Sequence, residues 1–455
     1  MVSKRKRIWG WYFFDFASQP YNTLLLTFIF GPYFAKVVTG ILIDDGMAEG
    51  LAKAQAQAYW GWGLAITGIA IAILAPILGA IADNSGRKLP WIWAFSFLYF
   101  VGSGALWWTA PQDFSVLWAL FFFGIGLIGM EFATIFTNSY LPELDDDPDE
   151  LGRISGSGWA FGYIGGLITL GIMLAVFQAG DSGRTMLGFE PLFGLDPATE
   201  APTRIVGPLS AVWFAVFMIP FFAYTRDLDK IIATRLSIGK AMRDLLGTIR
   251  RLPETPSLMA YLGSSMFYRD ALNGMYTFGG VYAVGVLEWS VFEIGVFGIV
   301  SIIAGAAFAW LGGQADRKFG PMPVIKVSCG ALIFAGCLII SISPQGIAGI
   351  DLGEGSALPD IAFYVAGALI GAAGGSLQAS SRNMMTRQAN PERMTEAFGL
   401  YALSGKATSF LAPTLIAFAS QTTGSQRLGI TPVVGLFIIG LILLAWVKPK
   451  GDFGK

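Results

Sequence analysis

The chain has 455 residues, of which 54% are hydrophobic and only 13% are charged. Soluble domains carry about 25% charged residues, so this composition predicts a protein whose main solvent is the lipid bilayer. The net charge is −1, which excludes a strongly basic surface for nucleic acid. There is no histidine, which excludes imidazole proton relays and His-based metal sites. No cofactor or metal is predicted, and Cys329 and Cys337 are interpreted as small core residues, too far apart on one helix for a disulfide.

Twelve apolar segments follow one another along the chain, each near the length of about 20 residues that a membrane helix needs. The basic start at Lys4 leads into the first segment without a small-residue cleavage site. We therefore expect a first membrane helix there and not a signal peptide. The predicted helices, numbered 1 to 12, cover roughly 8–36, 57–81, 89–110, 114–138, 153–178, 206–224, 258–286, 291–314, 322–343, 359–386, 395–420 and 430–447.

The distribution of the 30 Lys and Arg residues predicts the orientation of these helices. Most of them lie beside one set of loops, together with both chain termini. The positive-inside rule places that side in the cytoplasm, so we expect a plasma-membrane protein (the inner membrane in a bacterium) with both termini cytoplasmic. Two groups depart from the majority: on the other side Lys36, Lys53, Arg184, Arg204 and Arg427, and inside helices Arg269, Arg382 and Lys406.

The segment 225–257 separates two groups of six helices. Its apolar residues from Ile238 to Leu252 follow helical spacing, with Lys and Arg between them. This pattern predicts an amphipathic helix on the inner membrane surface; a calmodulin-like target helix is the alternative. The expected organisation is an N-terminal bundle at 1–224, a cytoplasmic linker at 225–257 and a C-terminal bundle at 258–455.

Two short charged stretches occur at equivalent places in the two halves. "GAIADNSGRKLP" follows helix 2, and "GGQADRKFG" follows helix 8, about half the chain later. A tight turn and the positive-inside rule would explain one such stretch, whereas its return indicates a duplicated six-helix unit.

These stretches resemble the signature loop of the major facilitator superfamily, Gly-x-x-x-Asp-x-x-Gly-Arg-Lys. The first copy matches at Gly79, Asp83, Gly86, Arg87 and Lys88. The second matches at Gly312, Asp316, Arg317 and Lys318, with a later glycine, Gly320, displaced by one. The resemblance implies an all-α membrane protein with twelve transmembrane helices in two pseudo-symmetric six-helix bundles. It also implies that these residues join helices in the outward-open state and separate in the inward-open state.

Other stretches resemble a narrower group, the vacuole-effluxer branch, which includes autophagy-related vacuolar amino-acid exporters of fungi and bacterial members. They are "WGWYFFDFASQPYNT", "NSYLPEL", "FYRDALNGMYTFGGVYA" and "GGSLQASSRNMMTRQANPERMTEAFGLYALSGKATSFLAP". One departure is that Asp270 precedes Ala271, where the family usually has glycine. The resemblance makes amino acids or short peptides the first substrate class to consider.

Ionisable residues inside membrane helices are costly and therefore candidates for substrate or ion coupling. They are Asp15, Glu131, Arg269, Asp270, Arg382 and Lys406, accompanied by the polar residues Gln19, Asn22, Asn138, Asn273 and Gln378. In the superfamily, helices 1, 4, 7 and 10 line the central cavity, and all four carry a charge here. Asp270 and Lys406 lie at a similar depth of about 18 Å, so we expect them to pair. Asp15 and Glu131 are candidates to share a proton; structural ion pairs are the alternative for these charges.

The sequence favours a secondary active transporter that moves a small polar or zwitterionic solute by alternating access, with H⁺ or Na⁺ as candidate coupling ions. The expected partners are the solute and membrane lipids, and the expected state is a monomer. No Walker-type phosphate loop is present, which argues against an ATP-driven pump. The alternatives are a lipid, amphiphile or sugar transporter of the same fold and a non-transporting receptor. An enzyme is not expected, because the sequence shows no cluster of catalytic residues.

Overall fold

The computed structural model describes residues 2–178, 183–226, 228, 238–287, 289, 291–353 and 356–453. Within these ranges twelve long helices confirm the predicted count and order, with bounds within several residues of those expected. Eleven of them are long and apolar enough to cross a membrane; the exception, α7, carries Arg269 and Asp270 near its centre. The helices are α1 (Lys4–Asp44), α2 (Glu49–Ser85), α3 (Leu89–Trp108), α4 (Val116–Glu143), α5 (Pro148–Phe177), α6 (Ala201–Thr225), α7 (Pro256–Leu287), α8 (Glu293–Phe319), α9 (Pro321–Ser341), α10 (Leu358–Gln388), α11 (Pro391–Thr423) and α12 (Gln426–Trp446).

Interruptions occur in α1 and α11, where the sequence predicted continuous segments. In α1, Pro20 is followed by a π-helical stretch, Tyr21–Phe28, and a kink at Ile29. Proline lacks the N–H that an α-helix needs, and π-helical turns accommodate the displaced hydrogen bonds. In α11, the helical piece Met394–Ala407 ends, and a second piece, Leu411–Thr423, begins after three residues of turn.

The connections also contain regular structure. Between α9 and α10, three two-residue strands, β1 (Ile342–Ser343), β2 (Gly346–Ile347) and β3 (Ile350–Asp351), form a small antiparallel sheet in the order β1-β2-β3. Ile238–Arg251 forms a helix, here called the linker helix, as its amphipathic pattern predicted. Residues 227 and 229–237 of the predicted linker lie outside the described residues.

The helices form two compact units. Unit 1 comprises Met1–Leu74, Ser85–Thr137 and Phe161–Ala233, and unit 2 comprises Ala75–Asn84, Asn138–Ala160 and Thr234–Lys455. Unit 2 thus contains α7 to α12 together with the end of α2 and the adjoining ends of α4 and α5.

Each unit is held by close helix packing. In unit 1, α3 and α4 approach so closely that a Cβ added to Gly102 would lie 2.3 Å from the backbone nitrogen of Gly126. In unit 2, a Cβ on Gly371 of α10 would lie 2.0 Å from the carbonyl oxygen of Ser301 in α8. Small residues permit such backbone contact, which drives helix association in membranes, where the lipid is as apolar as the side chains.

Candidate functional site

The first signature carboxylate binds the start of a distant helix within unit 2. Asp83, at the end of α2, accepts hydrogen bonds from two backbone N–H groups, that of Thr395 at 3.2 Å and that of Glu396 at 2.7 Å. Both amides belong to the first turn of the helical piece Met394–Ala407. Amides at a helix start have no partner within the helix, and the helix dipole favours an anion there. Asp83 therefore acts as an N-terminal cap supplied from another helix.

Glycines bring α2 and α11 close enough for this cap. A Cβ on Gly79, one turn before Asp83, would lie 2.6 Å from the carbonyl oxygen of Thr395. A Cβ on Gly399 would lie 2.6 Å from the carbonyl oxygen of Ala75. The signature glycine Gly79 is thus explained by backbone contact. We call the set of Asp83, Gly79, Thr395, Glu396 and Gly399 the α2–α11 contact.

The second signature carboxylate has a different environment. Asp316 in α8 is fully buried, and its Oδ1 accepts a hydrogen bond from the Nδ2 of Asn383 at 2.9 Å. A Cβ on Gly152 of α5 would lie 2.5 Å from the Asp316 carboxyl carbon, yet Asp316 accepts no backbone N–H from α5 in the part of the chain that the structure describes. The two copies of the signature loop are therefore related in sequence but unequal in bonding.

The matching glycine of the second copy is also displaced. Gly312 faces Ser376 of α10, whereas Gly313 makes the close approach to α5, where a Cβ on Gly156 would lie 2.6 Å from its Cα. In this structure Gly312 therefore does not make the inter-helix backbone contact that Gly79 makes in the first copy. The physical reason is that neighbouring residues on a helix point in directions about 100° apart, so Gly312 and Gly313 face different helices.

The charged and glycine residues that follow the two carboxylates lie mostly at the surface. Gly86 has a φ of 65°, the left-handed conformation that ends α2. Arg317 pairs with Glu150 of α5 at 2.5 Å and is half exposed. Exposed ion pairs contribute roughly 0–1 kcal/mol, so this pair adds little to the α5–α8 contact. The others differ in exposure: Arg87 and Lys318 are exposed, and Lys88 is buried.

Arg382 joins three helix ends in unit 2. Its side chain is 4% exposed, and it donates to the Oγ of Ser155 at 2.9 Å and to the carbonyl oxygen of Ser155 at 2.7 Å. It also donates to the Oδ1 of Asn138 at 3.3 Å, and its guanidinium lies 5.6 Å from the ring centre of Trp159. The structure thus brings together two residues that the sequence singled out separately, Arg382 and Asn138, at the ends of α10, α4 and α5.

The charges of α7 bind the two pieces of α11. Arg269 donates to the carbonyl oxygen of Tyr401 at 2.8 Å and stacks over its ring at 4.0 Å. Gly405 provides the space, since a Cβ there would lie 2.8 Å from the guanidinium. Asp270 is fully buried and accepts the backbone N–H of Ala412 at 2.8 Å. Because Ala412 is the second residue of Leu411–Thr423, Asp270 caps the start of the second piece of α11.

The predicted pairing of Asp270 with Lys406 does not occur in this structure. Asp270 forms no ion pair among the described residues, and its bonded partner is the Ala412 amide. The break in α11 provides the reason, since it exposes amides with no helical partner close to the carboxylate. Lys406 lies in the last turn of Met394–Ala407, before the break.

The remaining candidates lie on α1, α4, α7 and α10. In unit 1, Asp15 precedes Pro20 of α1 and packs against Gly162 of α5, and Asn22 lies within the π-helical stretch. In unit 2, α7 exposes Asn273, Tyr276 and Thr277 in the turns after Arg269. The others are half-buried: Gln19, Glu131 and Gln378.

A cavity of about 280 Å³ lies between α7, α11 and α12 in unit 2. Phe278, Tyr282, Ile416 and Ile430 form much of its lining, with glutamine and serine side chains completing it. None of the described residues that line it is charged, and its lining does not include the exposed polar residues Asn273, Tyr276 and Thr277 of α7.

Comparison with known proteins identifies the family. The family described as "Vacuole effluxer Atg22 like" matches residues 3–451. The chain belongs to this family. A relative from Bacillus subtilis (strain 168), named as an uncharacterized MFS-type transporter, YxiO, is 25% identical over 446 residues, which cover 97% of this chain and 94% of that protein. Autophagy-related protein 22 of Cryptococcus neoformans var. neoformans serotype D is 22% identical over 306 residues, covering 65% of this chain and 50% of that protein.

Solved structures establish the major facilitator fold for this Atg22-like chain. The human organic anion transporter MFSD10 superposes with a TM-score of 0.68 at 15% identity, covering 98% of this chain and all of that one. The proton:xylose symporter XylE superposes with a TM-score of 0.68 at 11% identity, covering 99% of this chain and 98% of that one. The protein is therefore an integral membrane transporter of the major facilitator superfamily, Atg22 type.

Several residues of this Atg22-like site were not found from the sequence. Ser155, Thr395 and Glu396 act partly through backbone atoms, and Gly156 and Gly399 act by having no side chain. The small-residue runs "GRISGSG" and "AFGLYALSG" were the available signal, because small residues mark close helix contacts in membranes.

Proposed function

We propose that the protein is a secondary active transporter that moves a small polar or zwitterionic solute by alternating access between two halves, 1–224 and 258–455. The observation that carries this proposal is the bidentate cap of Asp83 on the first turn of α11. Such a cap exists only while the end of α2 and the start of α11 touch. It therefore stabilises one transport state and is lost in the other, as a ligand with different affinity for two states shifts their populations.

The joined helix ends lie on the cytoplasmic side in this proposal. The excess of Lys and Arg beside the signature loops supports that orientation, with both termini cytoplasmic and the protein in the plasma membrane. The structure then represents the state in which α2, α4 and α5 are joined to α8, α10 and α11 at the cytoplasmic ends. Asp83, Arg382 and the glycine contacts hold that state.

The proposed substrate is an amino acid or a short peptide. Support comes from α7, where Arg269 is followed by the exposed polar residues Asn273, Tyr276 and Thr277. An exposed amide within a membrane helix is costly against lipid, so this stripe is expected to face a water-filled cavity. Asp15, Gln19, Asn22, Glu131, Gln378 and Lys406 remain the further candidates for substrate or ion contacts. We propose H⁺ or Na⁺ as the coupling ion and a monomer as the transporting unit.

Purified protein in proteoliposomes tests the function and the substrate class. A thermal-shift screen against amino acids, short peptides, sugars and lysolipids comes first, because a ligand at 100 times its Kd stabilises the bound state by about 2.7 kcal/mol. Uptake of the hits is then measured with and without H⁺ and Na⁺ gradients. Asn273→Leu should raise the KM for the substrate, whereas Ile361→Leu, at an exposed apolar position of α10, should not. Binding without uptake under any gradient would indicate a receptor, and stabilisation by lysolipids alone would indicate an amphiphile transporter.

Cysteine labelling tests the orientation separately. After replacement of Cys329 and Cys337, a single cysteine at position 240 of the linker helix should react with an impermeant reagent only in inside-out vesicles. A cysteine at position 184, on the predicted outer side, serves as the control and should react in intact cells. Labelling of position 240 from outside intact cells would contradict the proposed orientation.

A further inference from the structure

The linker helix is docked on the start of α11. Arg393, just before the helical piece Met394–Ala407, donates to the carbonyl oxygen of Asp244 at 3.2 Å and to the Oγ1 of Thr248 at 3.1 Å. Its guanidinium also lies 3.7 Å from the Asp244 carboxylate. Ala241 and Leu245 are buried on the same side of the linker helix. One face of this helix is therefore fixed to the rest of unit 2.

The apolar surface of the linker helix is wider than this docking requires. Leu246 is 48% exposed and Ile249 is 42% exposed, although Leu245 beside them is buried. On a helix, residues three and four apart are neighbours, so Arg243 and Arg250 flank Leu246 along its outer edge. Both arginines are exposed. An exposed apolar stripe edged by arginine is the arrangement of a helix that lies in a membrane interface, with acyl chains below and headgroups beside it.

The docking connects this stripe to the α2–α11 contact. Arg393 binds the linker helix. Two and three residues later, Thr395 and Glu396 donate their backbone N–H groups to Asp83. A force that fixes the linker helix therefore also fixes the turn that Asp83 caps. This connection does not require the linker helix to contact the transported solute.

We infer that the linker helix is a binding surface for the anionic lipids of the inner leaflet, and that this binding stabilises the α2–α11 contact. Leu246 and Ile249 insert below the headgroups, and Arg243 and Arg250 bind their phosphates. Charge complementarity selects the partner, because anionic leaflets attract basic segments beside membrane helices. The inference rests on the cytoplasmic orientation of the proposed function, and it adds lipid control of the transport cycle.

The test uses the full chain in nanodiscs of phosphatidylcholine alone or with phosphatidylglycerol. Spin labels on α2 and α11, at positions 84 and 392, report the population with joined ends. We expect phosphatidylglycerol to raise the ratio of joined to separated ends on the order of tenfold in the unmodified protein. The reason is the favourable free energy that each basic residue contributes near an anionic surface. The double variant Arg243→Gln/Arg250→Gln should lose this response. The control Arg251→Gln/Lys450→Gln removes the same charge from exposed positions away from the stripe and should keep it.

A third variant isolates the connection. Arg393→Gln should retain binding of the linker helix to phosphatidylglycerol, read from a fluorescent probe at position 246, but lose the response of the joined ends. Any one of three results would overturn the inference. They are no effect of phosphatidylglycerol on the unmodified protein, equal loss of the response in the two double variants, and an unchanged response in Arg393→Gln. Competition by an acidic peptide at equal charge, with no effect of lipid, would overturn it in favour of a protein partner. Cysteine labelling of position 240 distinguishes these outcomes from a wrong orientation.

Discussion

Neutralising Asp83 is the most direct perturbation of the α2–α11 contact. Asp83→Asn preserves the size of the side chain and one acceptor oxygen but removes the charge and one of the two backbone hydrogen bonds. Hydrogen bonds to charged groups contribute about 1.5–3 kcal/mol, and a charge at a helix start contributes about 0.3–1 kcal/mol. We therefore expect a loss of about 2 kcal/mol from the joined state, which corresponds to a shift of roughly 30-fold toward separated ends.

The size of this shift can be measured with spin labels at positions 84 and 392 by the distribution of their separations in nanodiscs. Asp316→Asn is the matched control, because Asp316 accepts a side-chain amide and caps no helix start among the described residues. We expect it to shift the same distribution by less than about threefold, since a neutral amide retains the acceptor for Asn383. The reasoning would be refuted by an unchanged distribution in Asp83→Asn or by an equal shift in both variants. Either result would mean that the cap of Asp83 on α11 does not stabilise the joined state more than Asp316 does.

Three further predictions follow from the same contacts. Asp270→Ala should lower the free energy of unfolding in nanodiscs by about 1–3 kcal/mol, because the Ala412 N–H loses its acceptor. Asp270→Asn keeps an acceptor oxygen and should retain most of that stability. Equal losses in the two variants would contradict the capping role. Arg382→Lys should shift the spin-label distribution about tenfold toward separated ends, since an ammonium cannot span both α4 and α5 as the planar guanidinium does. Gly399→Val should abolish the joined population, as a Cβ has no space there. Gly435→Val, where a Cβ meets nothing within 4 Å, should leave that population unchanged.

The sequence alone determined the class, the helix count and the duplication. Twelve segments of sufficient length, in a chain with 13% charged residues, permit few other solutions, because backbone polar groups in lipid must be satisfied within helices or closed barrels. The return of the Asp-centred loop near Asp316 revealed the two-fold repeat. The resemblance to the signature loop identified Asp83. Helical spacing identified the amphipathic linker helix, because helical periodicity is a local property.

Only the tertiary structure decided what the charged residues bind. Asp83 and Asp270 both cap helix starts on α11, and a backbone amide is present at every non-proline residue, so no sequence letter marks it as a partner. The pairing of Asp270 with Lys406 was expected because opposite charges at equal depth attract. The break in α11 provided a closer partner, the N–H of Ala412. The unequal bonding of Asp83 and Asp316 has the same origin: the partner of each carboxylate is set by helix packing between residues far apart in the chain.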